Sequence, residues 1–268
     1  LAFTGVSASG SGTNTGTYDV TFSGVTISET KDNTGNYVVT ETTNGTLTIT
    51  AATVGTYGAL TITEDQNGKT DKFDGTSTET INVTSAVSVK SVIYERTFNV
   101  GKASTVMLPF ENKITGNEGG EFYAFVDVKK EGENWVATTK PDNNPLDNTQ
   151  TLTANKPYLF LPTAAHITFT IPNEGVSICT DGGGNCQTAD VGSHWTFKGM
   201  YSYKQWAAND TEIGKAYGFA GIEKTGVNVG DFVKIAAGAK IRPMSCYLLW
   251  SDTPNNARAL TRGVAATD

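Results

Sequence analysis

Apolar and polar residues alternate along much of this chain, with a period of two residues. In residues 17–22 the alternation places Tyr18, Val20 and Phe22 on one face and polar residues on the other. Residues 166–171 repeat the pattern in the second half of the chain. Because successive side chains of a β-strand point to opposite faces of its sheet, this period predicts strands with one buried face. Threonine supplies many of the polar positions, and its β-branched side chain suits such a surface.

Turn signals separate the alternating runs, and helical signals are scarce. Asn44-Gly45 and Asn67-Gly68 are dipeptides typical of two-residue β-hairpin turns. No long segment has convincing helical periodicity, and we expect at most a single turn near Ser202–Ile213. The chain is therefore predicted to be all-β, with two domains of the β-sandwich or jelly-roll-like type.

The composition changes near residue 86. The first 85 residues contain 23 threonines and no tryptophan, whereas all four tryptophans lie after residue 130. All eight prolines also lie in the second part, beginning with Pro109. Since such a change marks a candidate boundary, we predict a Thr-rich β domain in residues 1–86 and a larger, aromatic-containing β-sandwich domain in residues 87–268.

Charge and hydropathy exclude two classes of partner. Charged residues make up 18% of the 268 residues and hydrophobic residues 38%, a polar but uncharged composition that favours an extracellular β-protein. The net charge of −7 argues against nucleic acid and against anionic lipid surfaces, both of which select basic proteins. No run of about 18–20 apolar residues is present, so we expect no membrane insertion. We expect the protein to be extracellular or displayed on a cell surface.

Two of the three cysteines flank a short loop. Cys179 and Cys186 enclose six residues rich in Gly, Asp and Asn, so their side chains can meet. In an exported chain this spacing favours a Cys179–Cys186 disulfide, worth at most about 2–3 kcal/mol because the loop is short. The alternative is a pair of reduced cysteines beside a turn. Cys246 lies in an alternating run and is predicted to be a small core residue.

The same loop is the best candidate for a metal site. Asp181 and Asn185 carry oxygen ligands, and Asp190 lies close by in the sequence. Calcium binds about six to eight oxygen atoms, so these residues and the glycine carbonyls between them are candidate Ca²⁺ ligands. The loop matches neither an EF-hand nor a glycine-aspartate repeat, and a plain Asx-rich turn is the simpler interpretation. No other cofactor is indicated.

Signals for catalysis are weak. A catalytic triad needs a base, and the two histidines, His166 and His194, lie in or beside predicted strands with no nucleophile motif near them. Glycoside hydrolysis needs only two carboxylates, which a chain with 27 acidic residues could supply. Glu121 and Asp127 border an aromatic strand, but most of the acids lie in turns, which is typical of a solvated surface. We predict that the protein is not an enzyme, with a glycoside hydrolase as the outside alternative.

A cluster of aromatic residues suggests carbohydrate binding. Flat aromatic rings stack on sugar faces, and polar neighbours orient the sugar. Tyr201 and Tyr203 would share one strand face, and Trp206 follows in a polar segment. Trp135 follows a charged turn and is a further candidate for an exposed ring. The alternative is that these aromatic residues are core or loop anchors.

Several short phrases in the second part of the chain are distinctive. They occupy residues 105–110, 121–123, 152–159, 195–199, 217–219, 233–235 and 241–248. Through them, residues 90–255 resemble the C-terminal β-domain of large exported surface proteins from anaerobic, fibre-degrading gut and rumen bacteria. The resemblance implies export and surface display. It implies no established chemistry, and it does not cover residues 1–85.

These observations together predict a non-enzymatic exported cell-surface protein with an adhesive or structural role. One form of that role is surface display. The other is assembly into a filament or surface layer, because an open sheet edge can accept a strand from a neighbouring subunit of the same protein. Residues 1–16 are a candidate donor strand, and a disordered tail is the alternative for them. The alternative function is that of a carbohydrate-binding accessory module for plant-fibre or mucin glycans.

Overall fold

The described part of the protein is built from β-strands. The computed structural model describes residues 2–4, 7–24, 26–28, 43–131, 134–140, 143–180, 187–191 and 194–250. Turns and bends join the strands, and no helix occurs within these ranges. The prediction of an all-β protein is therefore confirmed.

Twenty-four strands follow one another along the described chain. The first twelve are β1 (Ala2–Thr4), β2 (Ser7–Ser9), β3 (Gly16–Ser23), β4 (Thr26–Ser28), β5 (Gly45–Ile49), β6 (Ala52–Tyr57), β7 (Leu60–Asp65), β8 (Gly68–Asp74), β9 (Val87–Val89), β10 (Ser91–Glu95), β11 (Ser104–Met107) and β12 (Asn112–Lys113). The other twelve are β13 (Gly120–Glu131), β14 (Asn134–Lys140), β15 (Thr151–Leu152), β16 (Pro157–Pro162), β17 (Val176–Ile178), β18 (Gln187–Val191), β19 (Trp195–Met200), β20 (Lys204–Gln205), β21 (Ala216–Phe219), β22 (Phe232–Lys234), β23 (Lys240–Ile241) and β24 (Ser245–Trp250).

Contacts between residues divide the chain into two units. The smaller unit comprises Leu1–Thr53 and Thr63–Gly68, and the larger comprises Val54–Ile62 and Lys69–Asp268. This division differs from the composition-based boundary at residue 86. Residues 69–86 belong to the larger unit because β8 pairs with β10 and because the Ile81 amide donates to the Tyr201 carbonyl oxygen at 2.9 Å.

The smaller unit contains two small antiparallel sheets. β1 pairs with β4, and β3 lies between β2 and β5. Hydroxyl groups meet across β2 and β3, where Ser7 Oγ lies 3.0 Å from Ser23 Oγ and Ser9 Oγ lies 3.4 Å from Thr21 Oγ1. Hydroxyl pairs of this kind stabilise neighbouring strands by about 0.2–1 kcal/mol. β1 and β2, which belong to the candidate donor segment, are thus paired within their own chain.

The larger unit contains two sheets that pack as a sandwich. One has the strand order β11-β16-β13-β14 and the other the order β18-β19-β24-β21-β22. Met107 on β11 lies so close to Gly199 on β19 that a Cβ atom on the glycine would stand 2.1 Å from the sulfur. The Phe125 and Phe197 rings meet edge to face across the same interface, with centroids 4.9 Å apart. Interdigitation of this kind is how two sheets bury their inner faces, and it gives the larger unit its sandwich-like core.

Smaller sheets complete the described fold. The order β10-β8-β7-β6 forms a third sheet, in which β10 runs parallel to β8. Three two-stranded antiparallel sheets pair β12 with β15, β17 with β9, and β20 with β23. The turn from β6 into β7 needs a glycine, because Gly58 has φ +67° and a Cβ atom there would stand 1.9 Å from the Thr80 carbonyl oxygen.

The burial pattern follows the hydrophobic alternation even where no strand forms. Ile167 and Phe169 are buried, and Thr168 and Thr170 are exposed, as the alternation predicts. Residues 166–171 nevertheless belong to no strand, so the strand prediction for this segment is wrong. The Thr168 amide donates to the Glu118 carbonyl oxygen at 3.2 Å, which is an isolated bond rather than a ladder. Alternation records which side chains meet the core, whereas a strand also requires a neighbour in register.

Candidate functional site

The structure buries two of the aromatic residues that the sequence singles out for sugar binding. Tyr201 is 0% exposed and Trp206 is 1% exposed. The Tyr201 hydroxyl donates to Asn155 Oδ1, and the Asn155 amide donates to the Leu108 carbonyl oxygen at 2.7 Å. A sugar can stack only on a ring whose face is open to solvent. The binding prediction for Tyr201 and Trp206 is therefore corrected, because both rings are anchors of the core.

The other two aromatic candidates keep their status as predictions. Tyr203 is half-buried and lies just before β20, and no described strand contains both Tyr201 and Tyr203. Trp135 lies on β14 opposite Lys130, and its side chain is outside the described part of the structure. Sugar binding by Tyr203 or Trp135 would therefore not use the shared strand face that the sequence suggests.

The Glu212 carboxylate, beside Trp206, collects hydrogen bonds from four side chains. Lys204 Nζ lies 2.6 Å and Lys198 Nζ 2.9 Å from its oxygen atoms. Trp206 Nε1 and the Tyr247 hydroxyl also donate to it, at 3.1 Å and 2.9 Å. Burial raises the pKa of this carboxyl, but the hydrogen bonds from the lysines and the tyrosine outweigh burial and lower the pKa to about 2.

These contacts anchor a surface loop. Asp210 accepts a hydrogen bond from the Glu212 amide at 2.9 Å and lies 3.3 Å from Lys204 Nζ. Hydrogen-bonded turns occupy residues 208–209 and 211–215, where the sequence predicts at most a single turn. Because two lysines hold Glu212 ionised, it cannot serve as a general acid near neutral pH. The cluster is structural: it holds the loop against Trp206.

The disulfide prediction is not settled by the described residues. Cys179 is a half-buried free thiol, and Cys186 lies outside the described residues. The structure thus shows no Cys179–Cys186 disulfide, and its formation stays a prediction. Cys246 is 3% exposed and lies in the core, as its alternating context predicts.

The candidate calcium loop also lies outside the described residues. Asp181 and Asn185 fall in residues 181–186, and the side chain of Asp190 on β18 is likewise outside them. Ca²⁺ binding by these residues therefore stays a prediction. Elsewhere in the described part of the chain, no three His, Cys, Asp or Glu side chains converge as a metal site requires.

The acids that border the aromatic strand β13 have local partners. Glu121 accepts a hydrogen bond from the Tyr123 hydroxyl at 2.8 Å, and Asp127 Oδ2 lies 3.1 Å from Lys129 Nζ. Each partner is two residues away on the same strand, so each contact stays on one face of β13. His166 is exposed on a bend. These side chains are thus engaged separately by their own neighbours.

One acid is buried without a partner. Asp71 on β8 is 1% exposed, and its Oδ1 atom is buried and accepts no hydrogen bond from the described residues. Its cross-strand neighbour is Val92 on β10. Burial raises the pKa of Asp71 to about 7. A buried acid of this kind destabilises the fold when it ionises, and the pairing of its strand explains why it cannot escape to solvent.

A surface groove lies between β12 and β17. Its volume is about 670 Å³. Its polar lining consists mainly of hydroxyl groups and one charge of each sign, from Thr115, Thr151, Thr170, Ser177, Glu111 and Lys113. No aromatic ring is among the described residues that line it. A groove without a ring offers no stacking platform for a sugar. Most of its lining surface is apolar, and its polar groups are hydroxyls and main-chain groups beside the two charges.

The β17 wall of the groove is a strand edge. Main-chain groups of successive strand residues point to opposite edges. The Thr180 amide donates to the Val83 carbonyl oxygen, on the side of β9, and the Cys179 amide donates to the Pro109 carbonyl oxygen, on the opposite side. Ser177 lies two residues before Cys179, so its N–H and C=O groups point to the same side as those of Cys179 and face the groove. No described strand pairs with Ser177 on that side.

The β12 wall has the same character. β12 pairs with β15, and the Ile114 amide extends this ladder by donating to the Gln150 carbonyl oxygen at 3.1 Å. Lys113 adjoins Ile114, so its N–H and C=O groups point to the opposite edge and face the groove, where no described strand pairs with them. Its carbonyl oxygen accepts one hydrogen bond, from Asn112 Nδ2 at 3.1 Å. The groove is therefore bounded by two open strand edges.

Asn112 adds an unsatisfied acceptor to this wall. The residue is 2% exposed, and its Oδ1 atom is buried with no donor among the described residues. An acceptor in that state costs about 1–3 kcal/mol.

The groove could not be predicted from the sequence. Its walls are two short strands more than sixty residues apart, roughly the separation of Lys113 and Ser177, and only tertiary packing brings them together.

Comparison with known proteins adds no relative. No family model matches this sequence, no curated protein is similar to it, and no solved structure matches it. Among the described residues, no helix has the length and apolar character needed to cross a membrane.

Proposed function

We propose that this chain is a non-enzymatic, exported surface protein with a structural or adhesive role, and that it acts by pairing β-strands with neighbouring protein segments. The observation that supports the proposal is the groove between β12 and β17, whose walls both present strand edges with which no described strand pairs. Natural β-proteins usually cover or blunt such edges, because an open edge is a template for another strand. Two facing edges in one groove form an acceptor for a strand.

The composition is in keeping with this role. A chain with 18% charged residues and abundant threonine presents surfaces whose hydrogen-bonding groups are neutral hydroxyls and amides. Such surfaces favour contact with other hydroxyl-rich strands over contact with polyanions, because a net charge of −7 repels polyanions. Export and surface display are what the resemblance of residues 90–255 implies.

The carbohydrate-binding alternative has lost two of its four residues. Tyr201 and Trp206 are buried, and the groove carries no aromatic ring among its described lining residues. Trp206→Ala is therefore a poor probe of sugar binding, since it would damage the core. Tyr203→Ala, which changes a half-buried ring, is the appropriate variant.

Measurement of the assembly state tests the proposal. The purified chain is examined by light scattering over a range of concentrations and by negative-stain electron microscopy. We expect oligomers or fibres whose population grows with concentration. The alternative result is a protein that stays monomeric at every concentration and is retained on cellulose, xylan or mucin. If the Tyr203→Ala variant loses that retention, the function is carbohydrate binding instead.

A further inference from the structure

The groove between β12 and β17 has the size of a short β-strand. Strands in a sheet lie about 4.8 Å apart, a residue rises about 3.3 Å, and a layer is about 10 Å thick, so one strand residue fills about 160 Å³. The groove volume of about 670 Å³ therefore corresponds to about four residues of extended chain.

The walls set how such a segment would lie. The bond from the Cys179 amide to the Pro109 carbonyl oxygen, 2.9 Å long, joins the two walls at one end of the groove. Beyond that bond, Lys113 and Ser177 line the open part, so the walls separate there. An inserted segment would pair with the main chain of Ser177 on one side and of Lys113 on the other. It would be antiparallel to one wall and parallel to the other, because the walls themselves run antiparallel.

The side chains of the groove match strands of this same chain. Its lining hydroxyls include Thr151, Thr170 and Ser177. The smaller unit shows the same chemistry between its own strands, where Ser7 Oγ and Ser23 Oγ lie 3.0 Å apart. The first 85 residues supply 23 threonines, many of them at alternate positions of strands, as in β5. A strand with a hydroxyl at every second position would form hydroxyl pairs along the groove.

We propose that the groove accepts an extended, threonine-alternating segment of a second copy of this chain. The main chain of the segment pairs with Lys113 and Ser177, and its hydroxyls pair with those of the lining. The inference rests on the proposed function, since it names the partner and the site of that strand pairing.

Peptides that tile the chain provide the probe. Overlapping peptides of about 12 residues, long enough for one strand, are titrated into the intact labelled protein and followed by fluorescence anisotropy. We expect saturable binding by peptides that contain alternating threonines and none by scrambled versions of the same peptides. Soluble oligosaccharides from xylan and cellulose form a separate arm of the experiment.

Two variants place the binding in the groove. Ser177→Pro removes the N–H that faces the groove and puts a ring there. Its matched control is Ser88→Pro: Ser88 is the cross-strand neighbour of Ser177 on β9, and its N–H points away from β17. Thr151→Arg fills the groove without touching the main chain, and Thr153→Arg, two residues away and outside the lining, is its control. Near-ultraviolet circular dichroism reports whether each variant is folded.

The outcomes separate the inference from the proposed function. We expect Ser177→Pro and Thr151→Arg to weaken peptide binding and assembly about tenfold or more, and the two controls to change them little. If Ser177→Pro fails to fold, the Thr151→Arg comparison decides. Assembly that survives both groove variants would overturn the inference and leave the proposed function intact. Peptide binding by a chain that stays monomeric would support the groove as a strand acceptor and defeat the assembly function. Binding of oligosaccharides but of no peptide would overturn both.

Discussion

Replacing Asp71 by asparagine should stabilise the larger unit, and the gain should depend on pH. Asp71 is 1% exposed with an unpartnered Oδ1 atom, and burial raises its pKa from 3.8 to about 7. Between about pH 4 and about pH 7, Asp71 holds a proton in the native state that it has lost in the unfolded state. The free energy of unfolding therefore falls as the pH rises from about 4 to about 7. Above about pH 7, Asp71 is ionised in both states and contributes no further change.

The size of the effect follows from the same two pKa values. A difference of about three pKa units corresponds to about 4 kcal/mol between the neutral and the ionised carboxyl, at 1.36 kcal/mol for each unit. That is a large share of the about 5–15 kcal/mol by which a domain is stable. Asparagine has the shape of the neutral acid and never ionises. At about pH 4 the variant and the natural protein should be nearly equal, and at about pH 8 the variant should be more stable by up to about 4 kcal/mol.

Urea unfolding followed by tryptophan fluorescence measures the effect, because all four tryptophans lie in the larger unit. Asp74→Asn is the matched control. Asp74 lies three residues along the same strand on the exposed face, where hydrogen bonds from Thr76 lower its pKa. Asp74→Asn should therefore give no gain at high pH. A stability difference for Asp71→Asn that is the same at about pH 4 and about pH 8, or a loss at about pH 8, would show that the Asp71 pKa is not raised by burial.

Three further changes test other parts of the structure. Glu212→Gln should lower the free energy of unfolding by about 2–3 kcal/mol near neutral pH and alter Trp206 fluorescence, because it weakens the bonds from Lys198 and Lys204. This loss of stability should fade as the pH drops from about 4.5 toward 2, where the natural carboxyl itself becomes protonated. A loss that does not depend on pH would contradict this prediction. Gly58→Ala should cost clearly more in urea unfolding than Gly101→Ala, since both glycines have positive φ but only Gly58 would bring a Cβ atom against a carbonyl oxygen, and the reverse order would count against this account. Trp206→Phe should lower the melting temperature without changing retention on cellulose, xylan or mucin, because the Trp206 ring is buried; a specific loss of retention would show that the ring is accessible after all.

The sequence predicted those features that depend on local alternation. The β19 strand has the burial pattern that its apolar residues indicate, with Trp195 and Phe197 facing the core. Cys246 is buried for the same reason. A two-residue period specifies which side chains meet the core, because a strand has only two faces.

Features that depend on pairing partners could not be read from the sequence. Residues 166–171 alternate and bury Ile167 and Phe169, yet they form no strand, because no described strand lies in register with them. The composition-based boundary near residue 86 stays a prediction. Composition changes there, whereas the parallel pairing of β8 with β10 extends the larger unit back to residue 69.

Sugar-binding rings at Tyr201 and Trp206 were predicted from residue type and local sequence, and that prediction was wrong. Tyr201 and Trp206 lie in a polar stretch, which suggested exposed rings. The stretch is polar because Lys204 and Glu212 form the hydrogen-bonded cover over Trp206. A buried ion-paired cover and a solvated surface have the same composition, so only the fold distinguishes them.

Amide hydrogen exchange at Lys113 and Ser177 reports directly on strand pairing in the groove. These two N–H groups face the groove, and an inserted strand from a second copy would bond them. In assembled protein we expect their exchange to be about tenfold slower or more than in dilute monomer, while the exchange of the Ser88 amide stays the same. Unchanged exchange at Lys113 and Ser177 in protein that has assembled, or a chain that remains monomeric at every concentration, would contradict the account.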